Sequence, residues 1–135
     1  MPISTMWYGD EQRVIYQKFE GSWTWEEFIR ELAVMNDLAA SVSYNIVLFT
    51  DMSQTNLMPK GNALAQGRSV IGRMPPNASH VILVIHSRLI EVFAGIVVDM
   101  IPNWRNRVQF VKTIEEGQKL MMAAVAANQA GLGAS

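Results

Sequence analysis

The residues best equipped for chemistry sit where apolar runs give way to polar ones. Asp51 and Ser53 follow Ile46-Val47-Leu48-Phe49-Thr50, His86 and Ser87 follow the run Val81 to Ile85, and Lys112 and Thr113 follow Val108 to Val111. If these runs are parallel strands, their C-terminal ends gather on one edge of a sheet, the edge that ligands favour. Serine, histidine and aspartate together suggest acyl transfer. That chemistry needs a sharp nucleophile elbow, and no Gly-x-Ser-x-Gly is present. No spacing brings Ser53 within reach of His86. His80 and His86 flank one apolar run and so belong to its opposite ends, which is not the close pair that zinc requires. Gly61, Gly67 and Gly72 do not directly follow a strand and lack the Gly-Lys-Ser/Thr ending of a phosphate loop. These patterns point away from an enzyme and imply no cofactor and no metal.

Bulk properties narrow the class further. The chain has 135 residues, half of them apolar, which suffices for one continuous core. Eleven basic and twelve acidic residues leave a net charge of −1, without the basic excess that phosphate backbones demand, so nucleic acid is not an expected partner. There is no cysteine, which excludes disulfides and thiolate metal sites and fits a cytoplasmic location. Met1 to Asp10 has neither the basic start nor the apolar centre of a secretory signal. The most apolar stretch, Val81 to Ile101, carries His86, Arg88, Glu91 and Asp99, so it reads as a buried strand and helix and not as a membrane span.

The elements that must position these residues follow from periodicity. Met6 to Tyr8 and the alternating Val14 to Phe19, joined across Gly9-Asp10-Glu11, predict an N-terminal hairpin with one strand at a sheet edge. In the second strand Val14, Tyr16 and Lys18 face one way, and Ile15, Gln17 and Phe19 the other. Thr24 and Glu27 form a capping box, with Trp23 placed to staple the helix entry. The helix runs to about Ala40, with Trp25, Phe28, Leu32, Met35 and Ala39 as its core stripe. Tyr44 to Thr50 predicts a strand covered on both faces, and Asp51 to Lys60 a loop. Pro59 suits the first turn of a second helix, which ends at Pro75-Pro76-Asn77. After the strand Val81 to Ile85, Ser87 caps a third helix from Arg88 to Ile101, stopped by Pro102-Asn103. Val108 to Val111 is the last strand, and Thr113 opens a final helix to about Asn128. The expected architecture is α/β: a mostly parallel five-stranded sheet with an antiparallel N-terminal edge strand and four helices. Residues 1–128 read as one domain and 129–135 as a flexible tail.

The third helix holds the strongest functional hint. Apart from Arg88, Glu91 and Asp99 it is apolar all round, whereas a helix covering one face of a sheet needs only an apolar stripe. The surplus, read as Ala94, Val98 and Ile101, must be covered by a partner, a ligand or a neighbouring segment. Trp104, between Asn103 and Arg105 in an expected turn, joins them as an interface candidate. Met52, Met58, Met74 and Met100 lie around the same crossovers, and methionine adapts to irregular apolar surfaces.

With the elements in place, the pattern resembles the STAS domain, the fold of anti-sigma-factor antagonists. Three stretches carry the resemblance: the opening strand into Phe19-Glu20-Gly21 and a capped helix; Ile46-Val47-Leu48-Phe49-Thr50-Asp51-Met52-Ser53; and Ser87 to Phe93 followed by Val108-Gln109-Phe110-Val111 and Thr113-Ile114-Glu115-Glu116-Gly117. It implies a non-catalytic regulatory module that binds a protein partner, or itself as a homodimer. It also implies a serine switch at the second helix, which by position is Ser53, in a loop with Asp51 and Thr55. A phosphate there would set nearly two charges beside an acid and repel a partner surface. The sequence departs from the family pattern in following Ser53 with Gln54-Thr55-Asn56, where a small residue and glycine are usual. The other reading of the loop is that Asp51 and Ser53 simply make turn hydrogen bonds. STAS-like domains are also similar in architecture to lipid-binding domains of the Sec14 class. A carrier of a small lipophilic ligand, held between the third helix and the sheet, is therefore the alternative function.

Overall fold

The computed structural model describes residues 2–55 and 58–131. Among these, β1 (Ile3–Trp7), β2 (Val14–Glu20), β3 (Ile46–Gln54), β4 (Ala78–Ile85) and β5 (Val108–Val111) form one sheet in the order β1-β2-β3-β4-β5. β1 is antiparallel to β2, with Ile3 opposite Phe19 and Trp7 opposite Ile15; every other pair is parallel. The helices are α1 (Trp25–Ala40), α2 (Ala63–Gly72), α3 (Arg88–Asp99), α4 (Pro102–Arg105) and α5 (Ile114–Gln129).

Alternation along the strands divides the core between two faces. Ile15, Phe19, Leu48, Val81 and Ile85 pack with α1, Val70 of α2 and Ile90 of α3. Val14, Val47, Phe49, Ile82, Val84 and Val111 pack against Met121 and Ala124 of α5. The sheet is thus covered on both faces, which is why β3 and β4 read as unbroken apolar runs.

Local chemistry sets the helix starts. The Thr24 amide donates to Glu27 Oε1 at 2.9 Å and the Glu27 amide to Thr24 Oγ1 at 3.1 Å, closing the capping box. Trp23 meets Phe28 edge-on, 5.6 Å between ring centroids, and so staples the entry to α1. Ser87 and Thr113 accept from Ile90 and Glu116 amides and cap α3 and α5.

Several boundaries differ from the sequence reading. β1 lies at Ile3–Trp7 and not at Met6 to Tyr8, because its whole length pairs with β2, and β4 starts at Ala78 and not at Val81, where it pairs with Ile46; β3 starts at Ile46, not Tyr44, and α3 ends at Asp99, not Ile101. β3 continues through Gln54, because β2 and β4 keep offering backbone partners: Asp51 pairs in register with both Lys18 and Val84. Asp51 and Ser53 therefore belong to a strand, and the expected loop shortens; its Asn56 and Leu57 lie outside the described residues. α2 starts at Ala63, not at Pro59, since Gly61 holds a positive φ of 122° and Asn62 supplies the cap. Pro102 opens the short α4 in addition to ending α3, which makes five helices where four were expected; proline at the first helical position loses no internal bond. α5 extends to Gln129, one residue into the expected tail, whose residues 132–135 lie outside the described residues. No helix among the described residues is long and apolar enough to cross a membrane.

Candidate functional site

At the C-terminal edge of the sheet, Ser53, Gln54, Thr55, His86 and Ser87 line one open polar cleft. Its floor is an anchored strand end. Asp51 is buried, and its Oδ1 accepts from the Ser53 amide at 2.9 Å and from the Ser53 hydroxyl at 2.6 Å. Its Oδ2 accepts from the Tyr16 hydroxyl at 3.1 Å. Thr55, also buried, donates its hydroxyl to the Gly21 carbonyl at 2.7 Å. The cleft ends at Ser87, the cap of α3, so it runs directly into the start of that helix. Lys112 and Thr113 are exposed and do not line it; Thr113 is spent on capping α5.

Burial, then the charge of Asp51 and the hydrogen bond to it, push the Tyr16 phenol up to about 12. The unfolded phenol ionises near its ordinary value of 10, while the folded one resists, so this contribution to stability is complete below pH 10 and is lost between 10 and about 12. Tyr16→Phe should therefore flatten the alkaline decline in melting temperature over that window. An unchanged alkaline slope would remove Tyr16 from the account.

The Ser53 hydroxyl donates to Asp51 and is not bonded to His86. Among the described residues, no group of three histidine or acidic side chains could hold a metal. His80 lies on β4 with its ring nitrogen 2.8 Å from the Ser79 hydroxyl, and burial lowers its pKa.

α3 resolves the apolar surplus into two faces. Ile90 is buried in the main core, and Val97 and Val98, the latter only 6% exposed, pack with Ile71 and the half-buried Phe93, Ile101, Trp104 and Val108. The expected interface set of Ala94, Val98, Ile101 and Trp104 thus sits on the inward face: Val98 is core, and the other three are half-buried. The surplus lies on other residues. Leu89 is 61% exposed, Val92 48%, Ile96 48% and Met100 43%, in one stripe along the outward side of the helix. The sequence held this signal in its amphipathic imbalance, but in a helix so uniformly apolar it did not fix which side faces in.

Beneath α3 the packing leaves an apolar cavity of about 90 Å3, walled by Trp25, Val70, Phe93, Ala94, Val98 and Trp104 among others. The helices around it approach closely: a Cβ on Gly67 of α2 would lie 2.8 Å from Val97 Cγ2 and 3.0 Å from Phe93 Cζ. Trp23 and Trp25 both line the cavity, and their indole nitrogens are buried without a hydrogen-bond partner among the described residues. Their rings pack edge-on at 5.0 Å and 81°, a geometry in which an N–H can point at a π face. Met52, Met58 and Met74 also line this space, whereas Met100 belongs to the exposed stripe.

Compared with protein families, curated proteins and solved structures, the chain matches none.

Proposed function

We propose that this chain is a non-catalytic, STAS-like regulatory module of the cytoplasm that docks a protein partner, or a second copy of itself, on the outward face of α3. The observation that carries the reading is the row of four large apolar side chains left in solvent along α3 and its C-cap: Leu89, Val92, Ile96 and the capping Met100. Single exposed hydrophobes are ordinary, but an ordered stripe is the mark of an interface. The near-neutral charge supports a protein over nucleic acid. The adjoining cleft supplies the control element. Ser53 is half-buried beside α3's cap, and phosphorylating it would replace the donor to Asp51 with nearly two negative charges next to a buried carboxylate. That repulsion would drive the Ser53–Thr55 segment from its seat and change the surface at the head of the stripe.

The test uses the chain as bait, wild type against Ile96→Glu. A protein retained by the wild type is then purified and titrated against both. The reading predicts at least about a thirtyfold loss of affinity from a charge placed within the apolar stripe. Equal affinities would refute α3 as the docking face.

A second reading has its own observation, the apolar cavity under α3. At about 90 Å3 it is well below the volume of a lipid, so it would suit only a small, largely apolar molecule. A co-purifying small mass, displaced when Ala94 is enlarged to leucine, would favour that carrier reading over the docking module.

A further inference from the structure

We infer that the occupant of the α3 stripe is a second copy of this chain, paired helix to helix in antiparallel orientation about a two-fold axis. The inference rests on the docking reading above and specifies its partner. At about 100° per residue, Leu89, Val92, Ile96 and Met100 fall within roughly an 80° arc, a seam one helix wide. The seam is self-complementary when reversed. An antiparallel partner sets Leu89 against Met100 of the other copy and Val92 against Ile96, so each end of the stripe finds the opposite end.

The charges choose the direction. Arg88 and Asp99 are both exposed and lie within about 20° of each other on the same flank of the stripe, about 16 Å apart along the axis. A two-fold axis across an antiparallel pair brings like flanks together, so Arg88 of each copy comes beside Asp99 of the other, twice per dimer. Parallel pairing about a two-fold axis would instead place the two charged flanks on opposite sides of the seam, so neither arginine would meet an aspartate. Arg88 is free to serve: its side chain is 86% exposed, and its intrachain contact with Glu91 is long, at 4.0 Å. A single-helix seam is at the small end of protein interfaces, so the dimer should be weak, with a dissociation constant on the order of ten micromolar.

Sedimentation velocity on the purified full chain, from about 1 to about 200 micromolar, reads this directly. The wild type should shift from monomer to dimer across the series. Arg88→Asp alone and Asp99→Arg alone should each weaken the dimer about tenfold, since each makes two like-charge contacts, and the double exchange should return it to within about threefold of wild type. Ile96→Glu should be a folded monomer, its fold checked by circular dichroism. A wild type that stays monomeric at the highest concentration overturns self-pairing; docking of a different protein is then decided separately by the bait experiment. A dimer that survives Ile96→Glu, or one that the single charge changes leave intact or the double exchange fails to restore, overturns the antiparallel α3 seam.

Discussion

Val98→Glu should unfold the protein, while Ile96→Glu, two residues away on the same helix, should leave it folded. Val98 is 6% exposed and packs with Ile71, Phe93 and Trp104. The cavity beside it offers no counter-charge, and its lining is apolar apart from Thr50 and the indoles of Trp23, Trp25 and Trp104, too little to solvate a carboxylate. A buried, unpaired charge of this kind costs about 4 kcal/mol or more. Against a typical domain stability of roughly 5–15 kcal/mol, that removes most or all of the folded population. Ile96 is 48% exposed, so its glutamate stays in water, and the change in stability should be within about 0.5 kcal/mol. Chemical denaturation of the two variants checks the contrast. A stable Val98→Glu protein would mean that α3 is rotated from the position described, and the outward stripe would then be wrong as well.

Ser53→Asp should destabilise the fold by about 2–3 kcal/mol, and Ser53→Ala by only about 1 kcal/mol. Alanine removes one hydrogen bond, the 2.6 Å donation to Asp51 Oδ1, and leaves the backbone donation from the Ser53 amide in place. Aspartate removes the same bond and adds a negative charge beside a buried carboxylate whose hydrogen-bond donors are Tyr16 and Ser53. The strand end is also tied down by Thr55 at Gly21, so the strain falls on a segment that would otherwise be held. Denaturant midpoints for wild type and the two variants give the order directly. If aspartate cost no more than alanine, the Ser53 position could accept charge without moving, and a phosphate switch at this place would lose its physical basis. The hydrogen bond to a buried acid makes a change at this position structural as well as electrostatic.

What could be read ahead of the structure followed from how much each signal depends on local chemistry. The capping box at Thr24 and Glu27, the staple at Trp23 and the caps at Ser87 and Thr113 are defined by a few neighbouring residues, and they formed as read. The alternation of Val14, Tyr16 and Lys18 against Ile15, Gln17 and Phe19 fixed the two faces of β2, because one face without apolar side chains cannot be buried cheaply. The end of β3 was illegible, since hydropathy stops at Thr50 while backbone pairing carries the strand on, to Met52 beside β4 and to Gln54 beside β2. The phase of α3 was illegible for the opposite reason. With apolar residues on every side, periodicity predicts a helix but not its rotation, and only the closeness of Gly67 to Phe93 and Val97 selects the inward face. The cavity beneath it arises from the shapes of the tryptophans, Phe93 and the methionines once packed, which composition cannot reveal.

Native mass spectrometry of the protein purified from its own organism, wild type beside Ile96→Glu, shows whether the outward face of α3 is occupied. The wild type should appear as a complex heavier than the 15.1 kDa chain, with a second copy or another protein bound, and the Ile96→Glu chain should appear alone. A bare 15.1 kDa monomer in both spectra, or the same complex in both, would contradict the assignment of α3's outward face as the binding surface.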